Sequence, residues 1–124
     1  MSFWKTLIKK NRNDIDIAQS NIDELSLITE TDEKTSDYTL TLGDEGKVIL
    51  MNKSGIAIVT VPKNDVSDFP IGTIINIYNV STDNVDIIGA EDVVIRNAGS
   101  VVQYTEASLR KRATNEWVLV GGVE

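Results

Sequence analysis

The 124-residue chain carries 19 acidic and 12 basic side chains, a net charge of −7, 41% hydrophobic residues, two prolines, and neither cysteine nor histidine, the composition of one globular unit. Without Cys or His there is no thiol nucleophile, no Ser-His-Asp triad, no imidazole base and no ligand set for haem, iron–sulfur clusters or the usual zinc sites. The acidic balance disfavours nucleic acid and anionic membrane as partners, and no apolar run approaches the roughly 18 residues of a membrane span or resembles a secretory hydrophobic region.

Charge is unevenly placed along the chain. Residues 1–12 hold Lys5, Lys9, Lys10 and Arg12 and no acid, whereas residues 14–37 hold eight carboxylates against Lys34 alone. Phe3 and Trp4 have little core to join, so residues 1–12 read as an aromatic, basic anchor: Phe3 and Trp4 enter an apolar pocket of a larger assembly while Lys5, Lys9, Lys10 and Arg12 fix orientation. The alternative is a frayed terminus. From Trp4 to Leu25 the seam positions Trp4, Ile8, Asn11, Ile15, Ala18, Ile22 and Leu25 alternate spacings of four and three, with polar residues around them and no Gly or Pro. That is a heptad pattern over residues 4–25. A helix of this length spans about 33 Å and is marginal alone in water. It therefore needs a partner, and the expectation is a short coiled coil between copies, with packing on its own β domain as the alternative. Residues 26–37, acidic and rich in Thr, read as a linker.

Residues 38–124 change period. Short β-branched runs at 39–42, 47–51, 56–61, 73–80, 85–88, 93–96, 101–105, 108–113 and 116–120 are separated by Gly, Asn, Asp, Ser and Pro clusters, the pattern of a compact β-sandwich or barrel-like knob. The fold class expected is thus mainly β, with an N-terminal helix preceding the knob. Thr114-Asn115 joins two runs as a hairpin. No internal repeat marks a solenoid. Alternation puts Ile56 and Ile58 on one strand face and Val59 and Val61 on the other, so either both sheet faces are covered or one meets a neighbouring subunit.

Chemistry is sparse. The carboxylate pairs Asp44-Glu45 and Glu91-Asp92 are adjacent, so on a strand they point to opposite faces, and Asp83 with Asp86 sits in a turn region; all read as solvated turn acids. No catalytic residue is expected. Loop 81–86 lacks the ordered oxygen-ligand pattern of a calcium loop, the glycines match neither a dinucleotide nor a phosphate-binding motif, and no metal or cofactor is expected. In Arg110-Lys111-Arg112 the two arginines share a face, suited to pairing with nearby carboxylates. Trp117 reads as core or subunit interface.

The patterns YTLTLGDEGKVILMN (38–52), IAIVTVP (56–62), FPIGTIINI (69–77) and ASLRKRATNEWVLVGG (107–122) resemble, in that order, a recurring β module of bacteriophage virion proteins found in head-fibre or decoration and tail-fibre chains. The resemblance spans residues 38–122 and implies a non-enzymatic, trimeric module displayed on a virion assembled in the bacterial cytoplasm. It supplies no ligand and no catalytic residue. Three heptads make a short stalk, which suits a capsid decoration or head-fibre protein better than a long tail fibre; the partners expected are a homotrimer of this chain and a major capsid or other virion protein. A tail-associated module contacting host glycan through loops 65–70 or 81–86 is the alternative. If Ile15 and Ile22 form the seam, replacing both by Asp should reduce the mass measured by light scattering to that of a single chain; an unchanged oligomer mass excludes the seam.

Overall fold

The computed structural model describes residues 27–123. The expected helix and anchor, with Phe3, Trp4, Lys5, Ile8, Lys9, Lys10, Asn11, Arg12, Ile15, Ala18, Ile22 and Leu25, lie outside the described residues. Within them the protein is mainly β, as expected, and the only helical element is a 3-10 turn at Leu42–Asp44.

Ten strands follow in chain order: β1 (Thr29–Glu30), β2 (Tyr38–Thr39), β3 (Lys47–Met51), β4 (Ala57–Val61), β5 (Ile74–Asn79), β6 (Val85–Gly89), β7 (Val94–Arg96), β8 (Ser100–Val101), β9 (Thr105–Ala113) and β10 (Glu116–Gly121). They form two mixed sheets, one of six strands ordered β1-β3-β5-β9-β10-β7 and one of four ordered β2-β4-β6-β8. The first six strands alternate between the sheets and pair in parallel within each, so this half of the chain winds as a flattened coil. Both sheets share one register at the second step: Val48 opposes Asn76 in one and Ala57 opposes Val85 in the other, a spacing of 28 residues in each. At the first step Thr29 opposes Lys47 and Tyr38 opposes Val59, shorter spacings. The coils are therefore unequal in length, and no sequence repeat marks the winding.

The second half closes the coil. β9 runs antiparallel to β5, and β10 returns antiparallel to β9 across Thr114-Asn115, the expected hairpin, with a bulge between Glu116 and Trp117. The inward faces of the two sheets meet in one core containing Ile49, Met51, Val59, Val61, Ile75, Leu109 and Trp117. Trp117 is 1% exposed, and Phe69 meets its ring edge to face at 5.4 Å, a favoured aromatic geometry.

Two strand boundaries differ from the expectation. The run 39–42 pairs as a strand only at Tyr38–Thr39, because the Asp44 carboxylate accepts the Thr41 N–H (2.8 Å) and the Tyr38 hydroxyl (2.8 Å), drawing the chain into the 3-10 turn. The run 101–105 is broken by a turn in which the Thr105 N–H donates to the Val102 carbonyl (3.2 Å).

The segment expected as a linker lies along the free edge of β3. Beyond the β1 pairing, the Thr31 N–H donates to the Val48 carbonyl (2.9 Å), the Leu50 N–H to Thr31 Oγ1 (3.1 Å), the Lys34 N–H to the Leu50 carbonyl (2.8 Å) and the Asn52 N–H to the Lys34 carbonyl (2.8 Å). Edge strands elsewhere are two or three residues long, which limits pairing with other chains.

At the end of β5 the fully buried Asn79 ties three segments together. Its Nδ2 donates to the carbonyls of Asp83 (2.8 Å) and Val101 (2.9 Å), and its Oδ1 accepts the Ser81 N–H (2.8 Å). Asn79→Ala leaves three backbone groups without that partner, and each such loss costs roughly 1–3 kcal/mol. The urea midpoint should fall by the equivalent of about 3 kcal/mol with an unchanged slope; a loss below about 1 kcal/mol would show that the turn does not depend on this side chain.

Candidate functional site

Because β4 and β6 run parallel, with Ala57 opposite Val85 and Val61 opposite Gly89, the two loops singled out in the sequence leave from opposite ends. Loop 81–86 spans the Ala57/Val85 end, and loop 65–70 follows the Val61 end. The structure does not bring them together, so they form no single contact surface.

At the 65–70 end the chain is fastened from inside. Lys111, 2% exposed, points into the domain as alternation required, and its Nζ donates to Asn64 Oδ1 and to the Phe69 carbonyl (2.6 Å). The Asn64 N–H donates to Asn115 Oδ1 (2.8 Å), linking the loop to the hairpin. Burial pushes the Lys111 ammonium below its usual pKa, opposed by the charge of Asp68. Lys111 is thus an internal clamp. Arg112 and, from β7, Arg96 reach Glu116 at 3.0 and 3.1 Å, the carboxylate pairing expected for Arg112; among the described residues Arg110 makes no such pair.

The acids serve the backbone. Asp44 caps the 3-10 turn, and burial together with Asp44 raises the Tyr38 hydroxyl above its ordinary value. Asp37 Oδ1 accepts from Lys53 Nζ (2.9 Å) and from the Ile58 N–H (2.9 Å), continuing the ladder past β2. Asp86 accepts from Ser100 Oγ (2.5 Å) and Asp83 from the Gly55 N–H (2.8 Å). Among the described residues no three acidic side chains gather where a metal ion could be held.

The 81–86 end carries the more open chemistry. Asn52, Lys53, Ser54, Val80, Ser81, Thr82 and Asp83 line a polar cleft between the β3–β4 and β5–β6 turns. Its floor is braced: Ser81 Oγ donates to the Lys53 carbonyl (2.7 Å) and accepts the Asp83 N–H (3.1 Å). Beside it stands the 102–105 turn, held by the Tyr104 N–H on the Asn79 carbonyl (2.6 Å) and Gln103 Nε2 on the Val80 carbonyl (3.2 Å). Tyr104 has φ 61° and is 66% exposed. Sequence reasoning placed Tyr104 at the end of a strand, since VVQYT contains no Gly, Asn or Pro to announce a turn.

The chain matches no family model, no curated protein and no solved structure.

The ion pairs make a definite statement about acid. The Arg96 hydrogen bond, aided by Arg112, holds Glu116 below its ordinary 4.5, and the Lys53 hydrogen bond, with the Ile58 N–H, holds Asp37 below 3.8. A carboxylate depressed on folding stabilises the protein above its unfolded pKa and loses that contribution as pH falls through the folded value. Melting temperature should therefore hold from neutral pH to about pH 5 and fall below about pH 4. Glu116→Gln should flatten that fall; an equally steep acid limb in the variant would exclude Glu116 as a contributor.

Proposed function

We propose that the chain is a non-enzymatic structural protein of a bacteriophage virion, a capsid decoration or head-fibre protein that docks by residues 1–12, gathers as a homotrimer and displays its β domain. One observation carries the reading. The outer face of the four-stranded sheet presents Ile56, Ile58 and Ile88, the last two 36% and 44% exposed, and Ile88 opposes Thr60 two residues along the strand from Ile58. Three branched apolar residues on one face suit a domain that stands against copies of itself. The order of the four sequence patterns points the same way, and so does the use of Asp37, Asp44, Asp83 and Asp86 as partners of turns and strands. On this reading the protein is made in the bacterial cytoplasm and ends on the particle.

Immunogold labelling of the phage particles with antibody to residues 38–124 tests the proposal. Gold over the head, lost when residues 1–12 are deleted, is the expected result. Gold at the tail, or unlabelled particles, overturns it.

A further inference from the structure

We propose that Tyr104 and the adjoining cleft of Asn52, Ser54, Thr82 and Asp83 form a binding site for a neutral saccharide. The first observation concerns the backbone. A four-residue turn whose third residue has positive φ favours Gly, which has no Cβ to crowd a neighbouring carbonyl, or Asn, whose short side chain can hydrogen-bond locally. This turn holds a tyrosine at φ 61° instead. The aromatic side chains of Trp117 and Phe69 gain from burial, at 1% and 2% exposed. Tyr104 does not: its side chain is mostly in solvent, so packing gives no reason for an aromatic at a glycine position. Strain of this kind persists only where the surroundings enforce it, and here the Asn79, Val80 and Val102 carbonyls do so.

The second observation concerns what lies next to the turn. Asn79, whose carbonyl receives the Tyr104 amide, leads directly into Val80 to Asp83 on the wall of the cleft. Among the described residues the side chains of Asn52, Ser54 and Thr82 make no hydrogen bond within the domain, and Asp83 uses only Oδ2, on Gly55. An amide, two hydroxyls and a carboxylate oxygen thus remain available on two turns immobilised by Asn79 and Ser81. A sugar ring offers the complement: an apolar C–H face for an aromatic, and hydroxyls that both donate and accept around its rim. Tyrosine supplies that contact with few rotors to freeze. Lys53, the cation at the cleft, is neutralised by Asp37 at 2.9 Å, so the site has no net attraction for sulfate or carboxylate sugars. The site adds a ligand to the display reading and does not depend on where the protein sits on a particle.

The full-length chain should be screened on a printed array of neutral hexose and N-acetylhexosamine oligosaccharides, with sialylated and sulfated glycans alongside, and the strongest neutral binder titrated by NMR. Tyr104→Phe should keep the affinity within about twofold, and Tyr104→Gly should weaken it about tenfold or more. Tyr104→Gly relieves the backbone, so its melting temperature should stay level or rise by a few degrees. Thr82→Val should also weaken binding. The proposal is overturned if no neutral glycan binds, if only sulfated or sialylated glycans bind, if Tyr104→Gly binds as the parent does, or if that variant melts several degrees lower, which would make the ring a structural element.

Discussion

A chain that passes from one sheet to the other must reverse within a few residues, and each reversal strands amides and carbonyls that neither ladder can reach. Buried without partners, such groups would cost more than the turn could recover. Asn79 removes the difficulty at the β5–β6 reversal by supplying two donors and one acceptor from a single side chain. It does so for segments far apart in sequence, because Val101 belongs to β8 and Ser81 and Asp83 to the turn itself. Ser81 then extends the arrangement to the neighbouring β3–β4 turn through the Lys53 carbonyl. The floor of the polar cleft is reached from this side chain through Ser81, and the Tyr104 turn is held beside it by the backbone carbonyl of Asn79.

Much of this is visible in the sequence, and what is not visible has a physical cause. Strands such as Lys47–Met51 and Ala57–Val61 announce themselves through β-branched alternation and flanking Asn, Ser and Gly, and the alternation also separated Ile56 and Ile58 from Val59 and Val61, and Lys111 from its flanking arginines, without saying which face is buried. The parallel winding left no trace, because coils of unequal length share a register without sharing residues. Thr29–Glu30 escaped notice because two polar residues have no period; only the backbone of β3 makes them a strand. Tyr104 escaped because the turn that holds it is imposed by carbonyls from other segments, whereas turn residues in the sequence report only local preference.

Several charged side chains of the domain hold chain segments in place. Lys111 fixes loop 65–70 from beneath, Asp37 carries the ladder past the end of β2, Asp44 bends the chain into its 3-10 turn, and Glu116 joins β7 to the hairpin through Arg96 and Arg112. A carboxylate that accepts from a backbone amide is fixed in ionisation and in place, which is the opposite of what proton transfer asks of it. The apolar face of Ile56, Ile58 and Ile88 and the polar turn end around Tyr104 remain as surfaces with capacity to spare. Ile56 lies next to the cleft, since Lys53 Nζ donates to its carbonyl and the Gly55 N–H to Asp83, whereas Ile58 and Ile88 lie farther along the strands.

The strip formed by Thr29 to Lys34 has a consequence for anyone dividing the molecule. A fragment begun at residue 38, where the sequence pattern changes, would retain the strand Lys-Val-Ile-Leu-Met but strip its outer edge of every partner that Glu30, Thr31 and Lys34 provide. Such an edge, apolar and five residues long, is a template for further strands, and the fragment would be expected to precipitate or pair where the longer chain does not. The six-stranded sheet therefore takes its outermost strand from Thr29–Glu30, on the acidic side of the compositional boundary.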